Sequence, residues 1–244
     1  MIDLHCHILP RLDDGSRDLD DSVGMARQAA EDGIEAICAT PHIRHDHDVR
    51  IHEVAERVAA LNERLRDEGI PVEILTGGEV AATAVSGLGD EELAHVALGG
   101  GQWVLLEPAP GPLDDSLVRC VAHLGDRGYR ALVAHPERHL SADMFERIAG
   151  LIGDGALIQA TADFFLREGG TGKGMRALAE AGLIHVLSSD AHSSHAGRPV
   201  HMRAAFEVLE EIESMRPHVE WMAETAPRAI VSGEELNVPF APAL

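Results

Sequence analysis

The chain has 244 residues, a length that suits one domain burying roughly 70–75% of its unfolded surface. It carries 41 acidic against 20 basic residues, and a formal charge of −21 disfavours binding to nucleic acids and anionic membranes. No apolar run reaches the ~20 residues of a membrane span and the N-terminus lacks a basic signal segment, so we expect a cytoplasmic protein that is not embedded in a membrane.

Short apolar segments alternate with longer amphipathic ones along the chain. The predicted strands are Ile2–His7, Ile34–Thr40, Val72–Glu79, Trp103–Glu107, Arg130–His135, Ala156–Thr161 and Ile184–Asp190. The predicted helices are Asp18–Asp32, Val49–Glu68, Asp114–Arg127, Ala142–Ile152, Gly174–Ala181, Pro199–Met215 and Val219–Val231. Such alternation, with no linker or repeat, predicts a single α/β domain over residues 1–244 with a parallel sheet.

Polar side chains stand at the C-terminal ends of nearly all predicted strands. The first strand carries His5 and His7, whose side chains point the same way, ~7 Å apart along the strand. The other strand-end motifs are Asp13-Asp14-Gly15, Thr40-Pro41-His42, Gly78-Glu79, Leu106-Glu107-Pro108, Ala134-His135-Pro136 and Ser189-Asp190-Ala191-His192. Barrel active sites collect residues from many strand ends, whereas an open sheet concentrates them at one switch point. The distribution therefore favours a closed barrel.

These strand ends supply the candidate metal ligands. Charged groups at the end of an apolar strand are costly to desolvate unless they are paired or bound to metal. The candidates are His5, His7, Asp14, His42, Glu79, Glu107, His135, Asp190 and His192. They exceed the needs of one cation, so we predict two or three divalent cations, with a carboxylate such as Glu79 bridging. Three such cations outweigh the candidate carboxylates, which would let an acidic protein hold a phosphate.

Two arginines follow ligand candidates on predicted loops at the same end of the strands. Arg138 lies three residues after His135, and Arg198 lies six after His192. A guanidinium group binds phosphate bidentately, so we predict that both arginines contact substrate phosphate. Three further histidines near this rim, His139, His195 and His201, are interpreted as solvated loop residues.

The motifs above, with the stretch Asp21–Ala26, resemble the polymerase and histidinol phosphatase (PHP) superfamily from Met1 to about Val231. Within it, the chain is similar to bacterial capsular-polysaccharide tyrosine phosphatases of the CpsB and YwqE type. The resemblance implies a distorted seven-stranded, TIM-like (β/α)7 barrel with a trinuclear site, usually of manganese, and hints at a ring-like homo-oligomer. Mixed histidine and carboxylate donors also accept iron or zinc.

The resemblance also distributes the ligands. It implies that His5, His7, Glu79 and Asp190 hold one metal, Glu79, Glu107 and His135 a second, and Asp14, His42 and His192 a third. Arg138 and Arg198 match the phosphate-binding arginines of the family. Two departures stand out: the segment His192–Arg198 is one residue longer than in the family, and Gln159 lies in a stretch where the family more often has an asparagine.

Hydrolysis of a phosphomonoester is the predicted reaction, with a protein-tyrosine phosphatase as the leading function. An aryl leaving group with a pKa of ~10 needs less acid assistance than an alkyl alcohol, which fits a chain without an obvious dedicated acid. The chain has one tyrosine, Tyr129, so a phosphotyrosine substrate belongs to another protein. The resemblance suggests the tyrosine-rich tail of a capsule-assembly tyrosine kinase.

Several alternatives stay open or are disfavoured. A PHP phosphatase for a small molecule such as histidinol phosphate would use the same metals, and a non-catalytic scaffold would bind metal without turnover. A binuclear amidohydrolase needs a carbamylated lysine at a strand end, but the only lysine, Lys173, lies in a glycine-rich segment. Cys38 to Arg44 has the C-x5-R spacing of cysteine-dependent phosphatases, yet Pro41 removes a backbone N–H that would bind phosphate. The three cysteines, Cys6, Cys38 and Cys120, are interpreted as buried thiols.

Overall fold

The strands of the computed structural model, which describes residues 1–139 and 141–243, are short and parallel. They are β1 (Ile2–Cys6), β2 (Ala36–Ala39), β3 (His42–Ile43), β4 (Glu73–Leu75), β5 (Glu79–Ala81), β6 (Trp103–Glu107), β7 (Arg130–Val133), β8 (Leu157–Thr161) and β9 (Val186–Ser188). They form a three-stranded sheet in the order β1-β2-β4 and a six-stranded sheet in the order β3-β5-β6-β7-β8-β9. The predicted α/β class with parallel strands is confirmed.

The helices lie between and after these strands. They are α1 (Leu19–Asp32), α2 (Val54–Asp67), α3 (Asp90–Val96), α4 (Asp115–Asp126), α5 (Met144–Gly153), α6 (Asp163–Leu166), α7 (Gly170–Glu180), α8 (Arg203–Glu211) and α9 (Ala226–Ser232). Helix α1 is capped by Asp18, whose side chain accepts a hydrogen bond from Asp21 N at 3.0 Å. Within the described ranges, no helix combines the length and the apolar character needed to cross a membrane.

One predicted strand is divided and one observed strand was not predicted, so the predicted count of seven strands is not confirmed. The second predicted strand corresponds to β2. The unpredicted strand β3 begins beyond it, after Pro41, which has no N–H to donate. The third predicted strand stops at Leu75, and β5 begins only at Glu79 after an intervening pair of glycines. The described residues therefore contain nine strand segments in two sheets.

The first strand also pairs with the segment that follows β9. Asp190 N donates to His5 O at 2.8 Å, and His7 N donates to Ala191 O at 2.9 Å. A parallel bridge joins Cys6 to Ala191. The sheets consequently curl round in a barrel-like arrangement that brings the ends of β1 and β9 together.

Two apolar cores flank the strands. Helix α2 illustrates the outer core, because its buried residues Val54, Val58, Leu61 and Leu65 follow helical spacing and pack toward the sheet. The inner core lies within the curl and includes Leu4, Trp103, Leu105, Leu132, Leu157, Val186 and Ile230. Helix α9 partly closes this inner core, to which it contributes Ile230.

A polar layer lies beyond the inner core. His42 pairs with Glu79, and Glu79 pairs with Leu105, in the parallel register. Residues paired across neighbouring strands share a face of the sheet, so these polar side chains point to the same side as the inner core. Glu107 lies two residues after Leu105 and shares that face. The strands thus fix apolar residues and polar strand ends in successive layers.

Replacement of Leu105 by alanine tests the inner core. Leu105 is fully buried, and its truncation should lower the free energy of unfolding by about 2–5 kcal/mol because a cavity remains. Chemical denaturation followed by circular dichroism measures the loss. Val118→Ala on helix α4 is the control, since Val118 is 37% exposed and should change stability by less than ~0.5 kcal/mol. Equal losses in the two variants would contradict the assigned core.

Candidate metal centre

All nine ligand candidates meet at one end of the strands. Of these, the buried side chains are His5, His7, His42, Glu79, His135 and Asp190. The side chains of Glu107 and His192 are 12% and 20% exposed, and that of Asp14 is 59% exposed. The cluster is therefore mostly buried and opens to solvent on the side of Asp14.

Glu79 lies at the middle of this cluster, among four imidazoles. Its Oε1 is 2.8 Å from His135 Nε2 and 3.4 Å from His5 Nε2. Its Oε2 is 2.8 Å from His42 Nδ1 and 3.3 Å from His7 Nε2. Burial raises the pKa of Glu79, but the charge of His5 and the hydrogen bond from His135 outweigh it and hold the pKa well below its usual range. Glu79 is thus an ionised carboxylate with imidazole nitrogens close to both oxygens.

Asp190 connects the histidines to the two predicted arginines. Its Oδ1 is 3.4 Å from His5 Nε2 and 3.7 Å from His7 Nε2. Its Oδ2 accepts from Arg138 Nη2 at 2.5 Å and lies 2.9 Å from Arg198 Nη2. Burial raises the pKa of Asp190, yet the charges of His5 and Arg198 outweigh it and lower the pKa to about 2. One carboxylate therefore joins both halves of the site.

Three sets of side chains have donor atoms close enough to share a cation. In each set the donor atoms lie within 4.8 Å of one another, and the sets are His7 with Asp14, His42 and His192; His5 with His7 and Asp190; and His42 with Glu79 and Glu107. The resemblance implied a set of Glu79, Glu107 and His135 instead. His135 contacts Glu79, but His42 is the histidine placed with both glutamates.

The protonation of two histidines shows why the cluster fits a cation. His7 Nδ1 donates to Asp13 Oδ2 at 2.8 Å, and His5 Nδ1 donates to Gln159 Oε1 at 3.0 Å. In neutral imidazoles both Nε2 atoms would then carry lone pairs, and these atoms face each other at 3.2 Å. Such an arrangement is stable only with a positive charge between or beside them, supplied by a proton or a metal ion.

Other buried atoms support the same interpretation. Glu79 Oε2 and His42 Nδ1 approach to 2.8 Å, yet neither has a hydrogen-bond partner among the described residues. His135 Nδ1 is likewise buried and lacks a partner in the described part of the chain. Imidazole nitrogens and carboxylate oxygens are the donors that zinc, iron and manganese accept in proteins. The residues present therefore fit divalent cations.

Asp13 contacts the cluster, although the sequence did not identify it as a site residue. Besides holding His7, its carboxylate accepts from His42 N at 2.9 Å and from Gly15 N at 2.9 Å. A Cβ at position 15 would lie 2.3 Å from His7 O, so this close turn requires glycine. The doubled aspartate before glycine was the signal in the sequence that could have identified Asp13. Asp13 contacts the cluster from behind His7, and the next residue, Asp14, lies at its exposed rim.

Arg44 also was not assigned to the site. Its Nη1 lies 3.3 Å from Glu107 Oε1, and its side chain is 27% exposed. Arg44 follows β3 directly, which places it at the same end of the strands.

Cys38, the partner of Arg44 in the C-x5-R motif, is fully buried in β2, and burial raises the pKa of its thiol. That thiol is unsuited to act as a nucleophile, as the sequence reasoning expected. Cys6 is buried too, whereas Cys120 is only half-buried, contrary to expectation.

Two ligand candidates have unusual backbone conformations. His135 has φ of 38° and Asp190 has φ of 49°, both in the left-handed region that side chains other than glycine seldom adopt. Each such residue costs on the order of 1–3 kcal/mol. Packing must hold both strand ends in place, and the strained turns aim their side chains into the cluster.

The rim histidines differ from one another. His195 and His201 are exposed, as predicted. The prediction for His139 is wrong, because this side chain is buried and its Nδ1 donates to Gly111 O at 2.7 Å. Burial lowers the pKa of His139, so the ring is neutral at physiological pH. A neutral ring that already uses its N–H has no proton to give to a leaving group.

The fold and the donor cluster together define an α/β protein of the PHP type with candidate metal groups at its strand ends. Residues 1–225 match the family described as "Capsular polysaccharide synthesis, CpsB/CapC", and the chain belongs to this family. The resemblance inferred from the sequence is thereby confirmed.

Curated relatives match over most of their length. Tyrosine-protein phosphatase YwqE of Bacillus subtilis is 36% identical over 222 residues, covering 86% of this chain and 84% of that protein. The putative tyrosine-protein phosphatase CapC of Staphylococcus aureus is 27% identical, with 88% of each chain covered.

Solved structures extend the comparison. One from a study of YwqE of B. subtilis and CpsB of Streptococcus pneumoniae, described as unique metal-dependent tyrosine phosphatases, superposes with a TM-score of 0.84 at 28% identity. It covers 100% of both chains. A β-aspartyl dipeptidase of Fervidobacterium islandicum shares the fold alone, with a TM-score of 0.58 at 15% identity over 97% of this chain and 74% of that one.

Lys173, which a binuclear amidohydrolase would need at a strand end, lies exposed within helix α7 instead.

Asp13→Asn tests how the histidines are held. The amide cannot reproduce a charged acceptor for His7 Nδ1–H, so we expect affinity for Mn²⁺ to fall about 10–100-fold. Titration calorimetry of the metal-depleted protein measures this affinity. Asp20→Asn removes the same charge from a side chain that is 90% exposed, and it should bind like the wild type. Unchanged affinity in Asp13→Asn would show that Asp13 does not support the cluster.

Proposed function

We propose that the protein is a metal-dependent protein-tyrosine phosphatase that hydrolyses phosphotyrosine in another protein. The observation that supports this most directly is the position of Asp190, which faces two histidines on one oxygen and two arginines on the other. Cation donors and phosphate-binding groups are thus immediate neighbours. Membership of a family whose curated relatives are named tyrosine-protein phosphatases supports the same function.

The proposed metal ligands are His5, His7, Asp14, His42, Glu79, Glu107, His135, Asp190 and His192. Two or three cations would share them, with Glu79 between the sets because its two oxygens face different histidines. Mn²⁺ is the proposed metal, and iron and zinc suit the same donors. Asp13 and Gln159 orient His7 and His5 from behind.

Arg138 and Arg198 are the proposed phosphate-binding residues. Bound divalent cations lower the pKa of a coordinated water and offset phosphate charge. The two guanidinium groups complement this by binding the equatorial oxygens, whose charge must be stabilised during phosphoryl transfer. Their side chains are 36% and 22% exposed, so an incoming phosphate can reach them. Asp190 accepts from both arginines, and Arg198 Nη2 also lies 3.3 Å from His192 Nδ1, which leaves other N–H groups of both forks for substrate.

The leaving group favours an aryl ester. His139 is buried and neutral, and the exposed side chains of His195 and His201 make no hydrogen bond or ion pair with the cluster in the described part of the chain. Tyrosine leaves with a pKa of ~10 and so depends less on a proton donor than an alkyl alcohol does. This favours phosphotyrosine over a substrate such as histidinol phosphate.

The substrate, the setting and the architecture are also part of the proposal. Tyr129 is partly buried against the outer core, so the phosphotyrosine comes from a partner, for which we propose the tyrosine-rich tail of a capsule-assembly kinase in the cytoplasm. We further propose a homo-oligomer and a single domain over residues 1–244. If β2 with β3 and β4 with β5 are each regarded as one interrupted strand, the segments describe a seven-stranded (β/α)7 barrel.

Arg138→Ala tests the phosphate-binding role. Arg138 is not among the proposed ligands, so the variant should keep its metal content while kcat/KM on a phosphotyrosine peptide falls about 10²–10³-fold. Metal analysis and a phosphate-release assay measure the two properties. Arg50→Ala, which removes an arginine that is 66% exposed and paired with Glu53, should retain wild-type turnover.

The outcomes separate the candidate functions. Faster hydrolysis of histidinol phosphate than of the peptide would favour a small-molecule phosphatase. Bound metal without turnover of either substrate, or of para-nitrophenyl phosphate, would favour a scaffold. Full activity of Arg138→Ala would remove this arginine from the mechanism.

Metal affinity should depend on pH in a defined direction. Burial lowers the pKa of His7, but Asp13 and Glu79 outweigh it and raise the pKa to about 10 when no metal ion is bound. A raised pKa means that the ring holds a proton at neutral pH, which a metal ion must displace. Affinity for Mn²⁺ should therefore fall about tenfold per pH unit for each displaced proton as the pH decreases. Calorimetry in buffers of different ionisation enthalpy counts the released protons, and an affinity unchanged between about pH 6 and 8 would contradict this coupling.

A further inference from the structure

The segment that carries Arg198 leaves the end of β9 and runs across the surface before helix α8 begins. We call residues 193–202 the arginine loop. Its tip, His195 to Gly197, is exposed, and Gly197 has φ of 79°, which turns the chain back toward Arg198. Arg198 Nε then donates to Asp190 O at 2.8 Å. The loop contributes Val200 and Met202 to the outer core, so its first half depends on polar contacts.

Helix α1 presents a row of residues to this loop. Asp21, Gly24, Gln28 and Asp32 follow one another at intervals of three, four and four residues, which places them on one face of a helix. We call these four residues the α1 stripe. None of them is among the proposed ligands or phosphate-binding residues, although Asp21 and Gly24 lie within the stretch that resembles the PHP superfamily.

Asp21 holds the beginning of the loop. Its Oδ1 accepts from Ser194 N at 2.8 Å and from Ser194 Oγ at 2.7 Å. Ser193 Oγ lies 3.1 Å from both carboxylate oxygens. Burial raises the pKa of Asp21, but the hydrogen bonds from Ser194 outweigh it and lower the pKa to about 2. Asp21 thereby fixes Ser193, the residue directly after His192, to helix α1.

Gly24 and Gln28 hold both ends of the exposed tip. A Cβ at Gly24 would lie 2.6 Å from Ser194 Oγ, so the loop approaches the helix at a distance that only glycine permits. Gln28 Nε2 donates to Ser194 O at 2.9 Å, while Gln28 Oε1 accepts from Val200 N at 3.4 Å. One carboxamide therefore bridges the residues on either side of the tip and of Arg198.

Asp32 holds the far end of the loop. Its Oδ2 accepts from Met202 N at 2.6 Å and from Arg203 N at 3.0 Å, at the start of helix α8. The arginine loop is thus bound to one helix at its beginning, across its tip and at its end. Arg198 extends from the stretch between these anchors.

We propose that the α1 stripe, through Asp21, Gly24 and Gln28, positions Arg198 for substrate phosphate. This inference rests on the proposed function and adds three positioning residues to it. A loose loop would have to be ordered each time phosphate binds, and the lost conformational entropy would weaken binding. Because anchors on both sides of Arg198 order the loop, its conformational entropy is already lost on folding and is not lost again when phosphate binds.

A double-mutant cycle tests the proposal. The variants are Gln28→Ala, Arg198→Ala and the combination of the two, each loaded with Mn²⁺, and Asp21→Asn provides a second anchor variant of unchanged shape. The probe is inorganic phosphate, whose affinity is measured by calorimetry, together with KM and kcat for para-nitrophenyl phosphate. We expect Gln28→Ala to weaken phosphate binding and raise KM about tenfold in the wild-type background, with little further change once Arg198 is absent.

Asp18→Ala is the matched control. Asp18 caps helix α1 but its side chain bonds Asp21 N rather than the loop, so this variant destabilises the helix and leaves the anchors in place. Its phosphate affinity should equal that of the wild type.

Each outcome has a distinct meaning. Equal losses for Gln28→Ala with and without Arg198, or no loss at all, would overturn the positioning role while leaving the phosphatase intact. A loss in Asp18→Ala as large as in Gln28→Ala would assign the effect to helix stability and overturn it as well. A Mn²⁺-loaded wild type that neither binds phosphate nor hydrolyses the ester would overturn the proposed function, and the positioning role with it.

Discussion

The buried carboxylate of Glu79, surrounded by the imidazoles of four histidines, is the constraint on which the remaining structure depends. Moving such a group out of water is costly unless opposite charge accompanies it. Here the compensating charge comes from protonated histidines or from cations, and it must be supplied within a few ångströms. The parallel strands satisfy this requirement, because their ends converge above an apolar inner core that fixes the spacing of the side chains.

Much of this organisation was predictable from the sequence. The alternation of apolar and amphipathic segments predicted β1 and α1 to within one or two residues, and the polar strand ends predicted which side chains would meet. The fold class could be anticipated because hydrophobic periodicity is a local property. The ligands could be anticipated because a histidine or acid that ends an apolar strand must be desolvated there, and a partner or a cation has to offset that cost.

Other features depended on tertiary contacts and escaped prediction. The division between β2 and β3 arises where Pro41 interrupts the ladder, and short helices such as α3 and α6 have too few residues for a clear period. His139 was predicted to be a surface residue because its contact with Gly111 joins positions far apart in the sequence, and local spacing does not indicate such contacts. Arg44 contacts Glu107 across 63 residues of chain, which no local pattern can reveal. Asp13 contacts His7 and Gly15 nearby in the sequence, but its contact with His42 N spans 29 residues.

The pairing between β1 and the segment after β9 has a consequence for biosynthesis. His5 O accepts from Asp190 N, so β1 bonds to a segment that the ribosome adds much later. At translation rates of about 5–20 residues per second, β1 waits roughly 10–40 s for this neighbour. Contacts of such high sequence separation also slow folding itself. During that interval one edge of β1 is open to incorrect partners, and truncated chains that end before Asp190 would be candidates for chaperone capture or proteolysis.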